Sequence, residues 1–209
     1  PERLRAREHA PDELAHYAKR AIDVEYRFPF GWKELEGVHN RGDFDLTQHQ
    51  QFSSKKLEYY DQLNNKRYVP YVIETSVGAD RVTLAALVNA YREESVEGED
   101  EGRVVLGLHP SIAPIKAAIF PLTKKDGQPE MAKGILNDLR MAFPMDYDES
   151  GSIGKRYRRQ DEVGTPFCIT VDGQSTTDQT VTVRDRDTLA QDRIDASQLK
   201  SYLAAKLVG

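Results

Sequence analysis

The stretch between residues 68 and 81 carries side chains that could bind an anion. Apolar residues occupy alternate positions in its first half, as in a half-buried strand, and recur at helical spacing up to residue 91. Gly78 lies at the changeover, where the backbone needs either a positive φ or a close approach to a ligand. Arg81 falls in the first helical turn, where a positive charge is unfavourable unless an anion is bound. The pattern indicates either a phosphate site or an ordinary strand–turn–helix junction with a surface arginine.

A second group of chemistry-bearing residues lies on a predicted helix in the C-terminal half. Its four cations are Lys155, Arg156, Arg158 and Arg159. Arginines and aromatic rings such as Tyr157 can hold splayed RNA bases and phosphates, and Arg184 and Arg186 are expected nearby, on or just after a strand. The alternative is a solvated helix face whose arginines pair within the chain. The carboxylates available for that pairing are Asp161, Glu162, Asp185 and Asp187.

Length and composition favour a globular protein with a real core. A chain of 209 residues can form one large or two modest domains. The net charge of -5 argues against non-specific coating of nucleic acid but allows a local basic patch. With Cys168 alone there is no internal disulfide, and His39 and His49 are too isolated for a metal pair. No apolar run reaches membrane-spanning length and no signal-peptide pattern opens the chain, so we expect a reducing, cytoplasmic setting without membrane contact.

Strands and helices must position the first group. We predict an amphipathic helix over residues 11–22, a strand over 24–28 and a returning strand from Trp32 to Val38. The strand and helix on either side of Gly78 then follow. The N-terminal part therefore contains alternating strands with few helices.

Polar connections separate these elements. Residues 39–45 are rich in turn formers, and Asp43 or Asp45 is expected to cap a short helix that runs through Phe52. The run at 93–102 is strongly acidic, repels itself and predicts an exposed loop without a binding role.

From residue 109 onwards, strands alternate with helices, and the predicted boundary divides the chain into residues 1–108 and 109–209. The predicted strands cover 116–122, 145–147, 167–171 and 180–184, and the helices cover 129–141, 153–163 and 197–207. This βαβαββα order predicts a mixed sheet with helices packed on it. The fold class expected for the whole chain is α/β (α+β).

Three segments resemble class II aminoacyl-tRNA synthetases in their glycyl-tRNA synthetase form. Glu74-Thr-Ser-Val-Gly-Ala-Asp-Arg81 is similar to motif 3 of the class. Phe28-Pro-Phe-Gly-Trp-Lys-Glu-Leu-Glu-Gly-Val38 and the segment Gly151–Phe167 are similar to two further stretches of the same family, in the same order. The resemblance covers nearly the whole chain. It implies part of an antiparallel catalytic sheet under an active site, followed by an anticodon-binding domain.

The resemblance also assigns roles to side chains. Glu74 would pair with the ammonium of glycine, and Arg81 would grip the γ-phosphate of ATP; these two are the catalytic candidates. The glycine site would comprise Glu74, Thr75, Ser76, Val77 and Gly78. The ATP site would comprise Glu34, Leu35, Gly78, Ala79, Asp80 and Arg81. The family's usual proline after the glutamate is Thr75 here, which we expect to loosen the strand locally.

The implied activity is ATP-dependent ligation of glycine to its tRNA through glycyl-adenylate. Mg²⁺ bridges the ATP phosphates in the family, the parent enzyme is a homodimer, and Arg158, Arg159 and Arg184 are the candidate anticodon contacts. Nothing matches motifs 1 or 2, and the chain starts at Pro1, so we expect a C-terminal portion that is inactive alone. The alternative is a non-catalytic tRNA-binding or accessory protein with a synthetase-like fold. Retention of Glu74, Ser76 and Arg81 favours the enzyme.

Overall fold

The computed structural model describes residues 2–95 and 102–208. The chain forms two units, Pro1–Val88 and Asn89–Gly209, so the division falls earlier than the boundary expected at residue 108. The first unit contains β1 (Leu4–Glu8), β2 (Arg20–Phe28), β3 (Gly31–Gly42), α1 (Phe44–Ser53), β4 (Tyr59–Asp61), β5 (Lys66–Tyr68), β6 (Val72–Val77) and most of α2 (Ala79–Ala90).

The first unit is built on an antiparallel sheet with strand order β1-β2-β3-β6. Alternation along β2 gives this sheet two different faces. On one face, Tyr26 and Phe28 pack against Ala85 of α2 in a small apolar core. On the other face, Asp23 and Glu25 are buried yet charged, and the arginines of β1 pair with them. The sheet therefore has one apolar face and one face that carries paired charges.

The predicted helix over residues 11–22 is wrong. Residues 11–18 form turns, closed by hydrogen bonds such as Ala18 N to Ala15 O (2.9 Å), and β2 already begins at Arg20. Long-range pairing overrides the local pattern, because Ala21 and Ile22 join the sheet opposite β3 and β1. β1 itself was not predicted.

The turn predicted over residues 39–45 is only partly correct. β3 continues to Gly42, which has φ +61°, and α1 then starts at Phe44. The predicted short helix is confirmed, but Asp43 at its N-cap position makes no side-chain capping bond. Asp45 pairs with Arg41 instead of capping the helix.

The acidic run at 93–102 begins as a strand. β7 (Tyr91–Glu94) pairs with β8 (Arg103–Leu106) in an antiparallel hairpin, so Glu93 and Glu94 are not in a loop. The rest of the predicted loop, residues 96–101, lies outside the described residues. Glu94 accepts a 2.8 Å hydrogen bond from Arg103, which is buried.

The second unit contains the predicted mixed sheet. After the β7–β8 hairpin come β9 (Ala117–Pro121), α3 (Gln128–Leu139), β10 (Met145–Tyr147), α4 (Ile153–Val163), β11 (Phe167–Val171), α5 (Ser175–Asp178), β12 (Thr180–Asp185), β13 (Gln191–Asp195) and α6 (Leu199–Val208). The order is β10-β9-β11-β12-β13, with parallel pairing as far as β11 and antiparallel pairing beyond it. Every predicted helix and strand of this unit is present. The β7–β8 hairpin, β13 and the short α5 were missed.

Candidate functional site

The β3–β6 pair places two predicted glycine-binding residues on the polar face. Glu74 lies opposite His39 in the strand register, and Ser76 lies opposite Gly37. Because side chains alternate along a strand, Glu74 and Ser76 point to the same side of the sheet. A carboxylate and a hydroxyl thus stand side by side above a glycine of the neighbouring strand.

The other predicted members of that site lie elsewhere. Thr75 and Val77 alternate with Glu74 and Ser76, so their side chains belong to the opposite face, and Val77 is exposed. Thr75 does not interrupt the strand pairing, and the loosening expected there stays a prediction. β6 keeps an unbroken register with β3 from residue 73 to residue 77.

Arg41 holds the carboxylate of Glu74, a contact the sequence did not predict. Its Nη1 donates to Glu74 Oε2 at 2.5 Å, while Nε and Nη2 donate to both oxygens of Asp45 at 2.6 and 2.9 Å. The ring of Tyr17 covers the guanidinium at 4.0 Å. The hydrogen bonds to Asp45 and Glu74 raise the pKa of the Arg41 guanidinium above its usual value. In the sequence, Arg41 stands two residues after His39 in a segment interpreted as a turn, and no pattern there links it to Glu74.

Arg81 and Glu34, both predicted to contact ATP, form an ion pair. Arg81 Nη1 donates to the Glu34 backbone oxygen at 2.8 Å and lies 3.1 Å from its carboxylate. The two line an open cavity of about 310 Å³ together with Phe28, Phe30, Lys33 and Leu84. A positive charge in the first turn of α2 is therefore already balanced by a protein carboxylate. By contrast, the Leu35 side chain packs against the apolar core of the first unit.

Gly78 is not in the left-handed region, so a positive φ does not explain it. A Cβ built there would meet only the Arg81 side chain, at 3.8 to 3.9 Å, which is ordinary contact. Its carbonyl accepts the first hydrogen bond of α2, from Val82 N at 3.0 Å. Ala79 and Asp80 follow as exposed residues of the first turn. Neither the φ angle nor the surrounding protein atoms require a glycine at this position.

The cations of α4 have different environments. Arg156 is buried and donates to the carbonyls of Pro121 (2.5 Å) and Gly151 (2.8 Å), so it holds the fold together. Arg159 donates to Asp148 at 2.9 Å, on a loop before the helix. Lys155 and Arg158 instead line a depression of about 510 Å³.

Arg184 lines the same depression but is fixed by internal contacts. Its two terminal nitrogens donate to the two oxygens of Asp161 at 3.0 and 3.1 Å, and its guanidinium lies 4.7 Å from the centre of the Tyr157 ring. Asp161 is fully buried and also accepts from Arg103 of β8 at 3.2 Å. Tyr157 is therefore occupied by Arg184 and is not an open stacking surface for a base.

The predicted anticodon residues thus divide into two places. Arg158 and Arg184 share one depression, whereas Arg159 is directed to the Asp148 loop. Arg186 is fully buried and donates to the carbonyls of Gly164 and Leu108. Internal pairing, the alternative considered for this basic region, accounts for Arg184 with Asp161 and for Arg186 with Asp187.

Residues 2–95 and 102–208 contain neither a cluster of metal ligands nor a membrane-spanning helix. No three His, Cys, Asp or Glu side chains in these ranges converge on a point where a metal ion could be held. No helix in the same ranges combines the length and the apolar character needed to cross a bilayer.

Comparison with known proteins finds similar sequences along nearly the whole chain. Residues 116–206 match the family described as Anticodon binding domain. The glycine–tRNA ligase of Borrelia hermsii (strain HS1 / DAH) is 55% identical over 207 residues, covering 98% of this chain and 46% of that protein. That of Caldanaerobacter subterraneus subsp. tengcongensis is 56% identical over 206 residues, covering 99% and 44%. That of Staphylococcus saprophyticus subsp. saprophyticus is 54% identical over 207 residues, covering 99% and 44%.

The chain spans less than half the length of these relatives. The alignments at 54–56% identity cover 98–99% of the chain, and the mixed sheet of the second unit lies within the residues matched by the anticodon-binding family. This chain is similar along nearly its whole length to a portion of the glycine–tRNA ligases, and its residues 116–206 match the anticodon-binding family.

Proposed function

We propose that this chain supplies part of the glycine and ATP sites, and the anticodon-binding domain, of a glycine–tRNA ligase. The observation that carries the proposal is the 55% identity along 98% of the chain to a protein of that name. The open polar face with Glu74 and Ser76 supports it. In this proposal the first unit, Pro1–Val88, belongs to the catalytic domain and the second unit, Asn89–Gly209, binds the tRNA of glycine. A cytoplasmic location and a homodimeric parent enzyme are parts of the same proposal.

Glycine binding follows from the chemistry of Glu74. A carboxylate on a partly desolvated face accepts strong, charge-assisted hydrogen bonds from an ammonium. Ser76 lies two residues along the same face and offers a hydroxyl to the same ligand. These two side chains would bind and orient glycine, so that its own carboxylate is free to attack ATP.

Arg81 would take the γ-phosphate of ATP by exchanging its Glu34 partner for a phosphate oxygen. The N-terminus of α2 adds unpaired backbone N–H groups in the same region. When the glycine carboxylate bonds to the α-phosphorus, the bond to pyrophosphate breaks and glycyl-adenylate forms. The terminal tRNA ribose hydroxyl then attacks the glycyl carbonyl and AMP leaves. Both steps need positioned charge more than a proton-transfer residue.

Mg²⁺ would arrive with ATP as the counter-ion of its phosphates. Since no group of three potential ligands converges in the described ranges, we derive no step from a resident metal. The sequence also contains no match to motif 2, whose arginine holds the α-phosphate in the family. We therefore propose that the isolated chain does not form glycyl-adenylate.

A joined protein tests the catalytic part of the proposal. The full 209-residue chain would be fused behind the N-terminal part of the Caldanaerobacter relative, which is 56% identical over the matched region. We expect glycine-dependent ATP–pyrophosphate exchange from the joined protein and none from the chain alone. Exchange by the chain alone would contradict its proposed inactivity. An inactive joined protein, beside an active intact relative, would favour a non-catalytic tRNA-binding protein instead, a function that the match at residues 116–206 alone would satisfy.

Binding of tRNA tests the second unit. Changing Arg158 to Met should weaken binding of tRNA with the glycine anticodon by about 5- to 30-fold, because an arginine contact to RNA is removed. Arg140→Met is the matched control, since it removes an exposed arginine of the same unit that lies outside the depression. Measurements at one fixed salt concentration are essential, because phosphate contacts depend on salt. Equal losses in the two variants, or equal binding of a tRNA with replaced anticodon bases, would refute recognition by this surface.

A further inference from the structure

The guanidinium of Arg41 contacts two carboxylates and an aromatic ring. Asp45 holds two nitrogens of Arg41, and a third nitrogen is presented to Glu74 Oε2 at 2.5 Å. Tyr17 covers one face of the same group at 4.0 Å. A planar guanidinium with a bidentate partner and a stacked ring has little freedom to turn. Arg41 therefore offers Glu74 a fixed donor and not a mobile surface charge.

The ring that covers Arg41 contacts further aromatic rings at the protein surface. Tyr17 makes edge contacts with the His16 ring at 5.2 Å, and His16 makes an edge contact with Phe44 at 5.3 Å. Asp45 lies in the first turn of α1, which begins directly after β3. The side chains of Arg41 and Asp45 are only 21% and 24% exposed. The aromatic cluster and α1 thus set the position of the pair.

Asp45 also sets the net charge of the cluster that it forms with Arg41 and Glu74. Arg41 with Glu74 alone would form a neutral pair, which has little net attraction for an ammonium. With Asp45 included, the three groups carry one positive and two negative charges. The cluster then retains one net negative charge, which matches the single positive charge of a bound ammonium.

We infer that Arg41, held by Asp45 and Tyr17, is a positioning residue that fixes the Glu74 carboxylate for the ammonium of glycine. The inference rests on the proposed function, because it deepens the role of the same site. Arg41 acts through Glu74 and is not assigned a contact with glycine. Asp45 keeps the site negative in spite of the arginine.

The joined protein described above provides the kinetic test. Arg41→Met should raise the KM for glycine by about 10- to 50-fold, as loss of a hydrogen bond to a charged group predicts, and leave the KM for ATP within about twofold. Arg41→Lys should recover part of the loss, and Asp45→Asn should raise the KM for glycine by a smaller factor. Arg67→Met is the control, since Arg67 also lies over an aromatic ring, that of Tyr60, but on the separate β4–β5 hairpin. Equal changes in the KM values for glycine and ATP, or no change, would overturn the inference.

A double-mutant cycle on the 209-residue chain provides a readout that needs no catalysis. Thermal unfolding would be compared for Arg41→Met, Glu74→Gln and the double variant. The inference expects the second change to have a smaller effect in the presence of the first. If the losses of stability in the two single variants simply add in the double variant, the inferred role of Arg41 is overturned, even if the joined protein is active. If the unchanged joined protein shows no exchange, the proposed function fails, while the cycle still decides whether Arg41 fixes Glu74.

Discussion

Changing Asp161 to asparagine is expected to lower the free energy of unfolding of the second unit by about 3–5 kcal/mol, which is the usual cost of breaking a buried ion pair. Asp161 is completely buried and accepts hydrogen bonds from Arg184 and Arg103, whose side chains are 10% and 2% exposed. An asparagine keeps the shape but removes the negative charge. Two guanidinium groups would then remain inside the protein with too little compensation.

Urea unfolding monitored by circular dichroism would measure this loss. The control is Glu162→Gln, which removes the neighbouring but exposed carboxylate of the same helix and should change stability by less than about 0.5 kcal/mol. A loss of similar size in the two variants would show that the buried network does not hold the unit together. The comparison also tests whether Arg184, at the edge of the depression lined by Lys155 and Arg158, is a structural residue.

Changing Glu74 to glutamine in the joined protein is expected to lower kcat/KM for glycine by a factor on the order of 100, since a charge-assisted hydrogen bond to a bound ammonium is lost. The amide is nearly isosteric, so the strand and its pairing with β3 should persist. The variant also leaves Arg41 without its second carboxylate. Glycine would then meet a cluster without net negative charge.

Glycine-dependent and ATP-dependent rates of pyrophosphate exchange would separate the possible causes. The loss of kcat/KM in Glu74→Gln should appear when the glycine concentration is varied. It should be small when the ATP concentration is varied at saturating glycine. Glu58→Gln serves as the control, because Glu58 is an exposed carboxylate just before β4. Unchanged kinetics for Glu74→Gln would remove Glu74 from the glycine site and would leave the resemblance to motif 3 without its central residue.

Most of the second unit was predictable because its central strands β9 and β11 are buried throughout and almost entirely apolar. Every residue of β9 and β11 is buried, so a continuous apolar run announces each strand without reference to the rest of the chain. β13 could not be found in this way. Of its residues Gln191–Asp195, only Ile194 is even partly buried, and pairing with β12 makes the strand. β1, with four exposed residues among five, was missed for the same reason.

The candidate site was only partly predictable. A linear motif indicates Glu74 and Arg81, because their roles depend on neighbours in the chain. The partners of these residues come from far away, since Arg41 and Glu34 lie 33 and 47 positions before them. The same is true of Arg184, which looks like an RNA contact in the sequence but is tied to Asp161, 23 positions earlier. Cross-strand and helix–strand pairing decides which charges face a ligand, and no local pattern records it.

The contact between Arg103 and Asp161 shows that the domain defined by the family match is smaller than the compact unit of the structure. Sequence similarity delimits a domain at residues 116–206, yet a charge that neutralises its buried aspartate comes from a strand that ends ten residues earlier, at residue 106. A protein fragment of residues 116–206 would contain Asp161 and Arg184 but would lack Arg103. The compact unit of this chain begins at Asn89, so the hairpin before the recognised domain is part of the same unit.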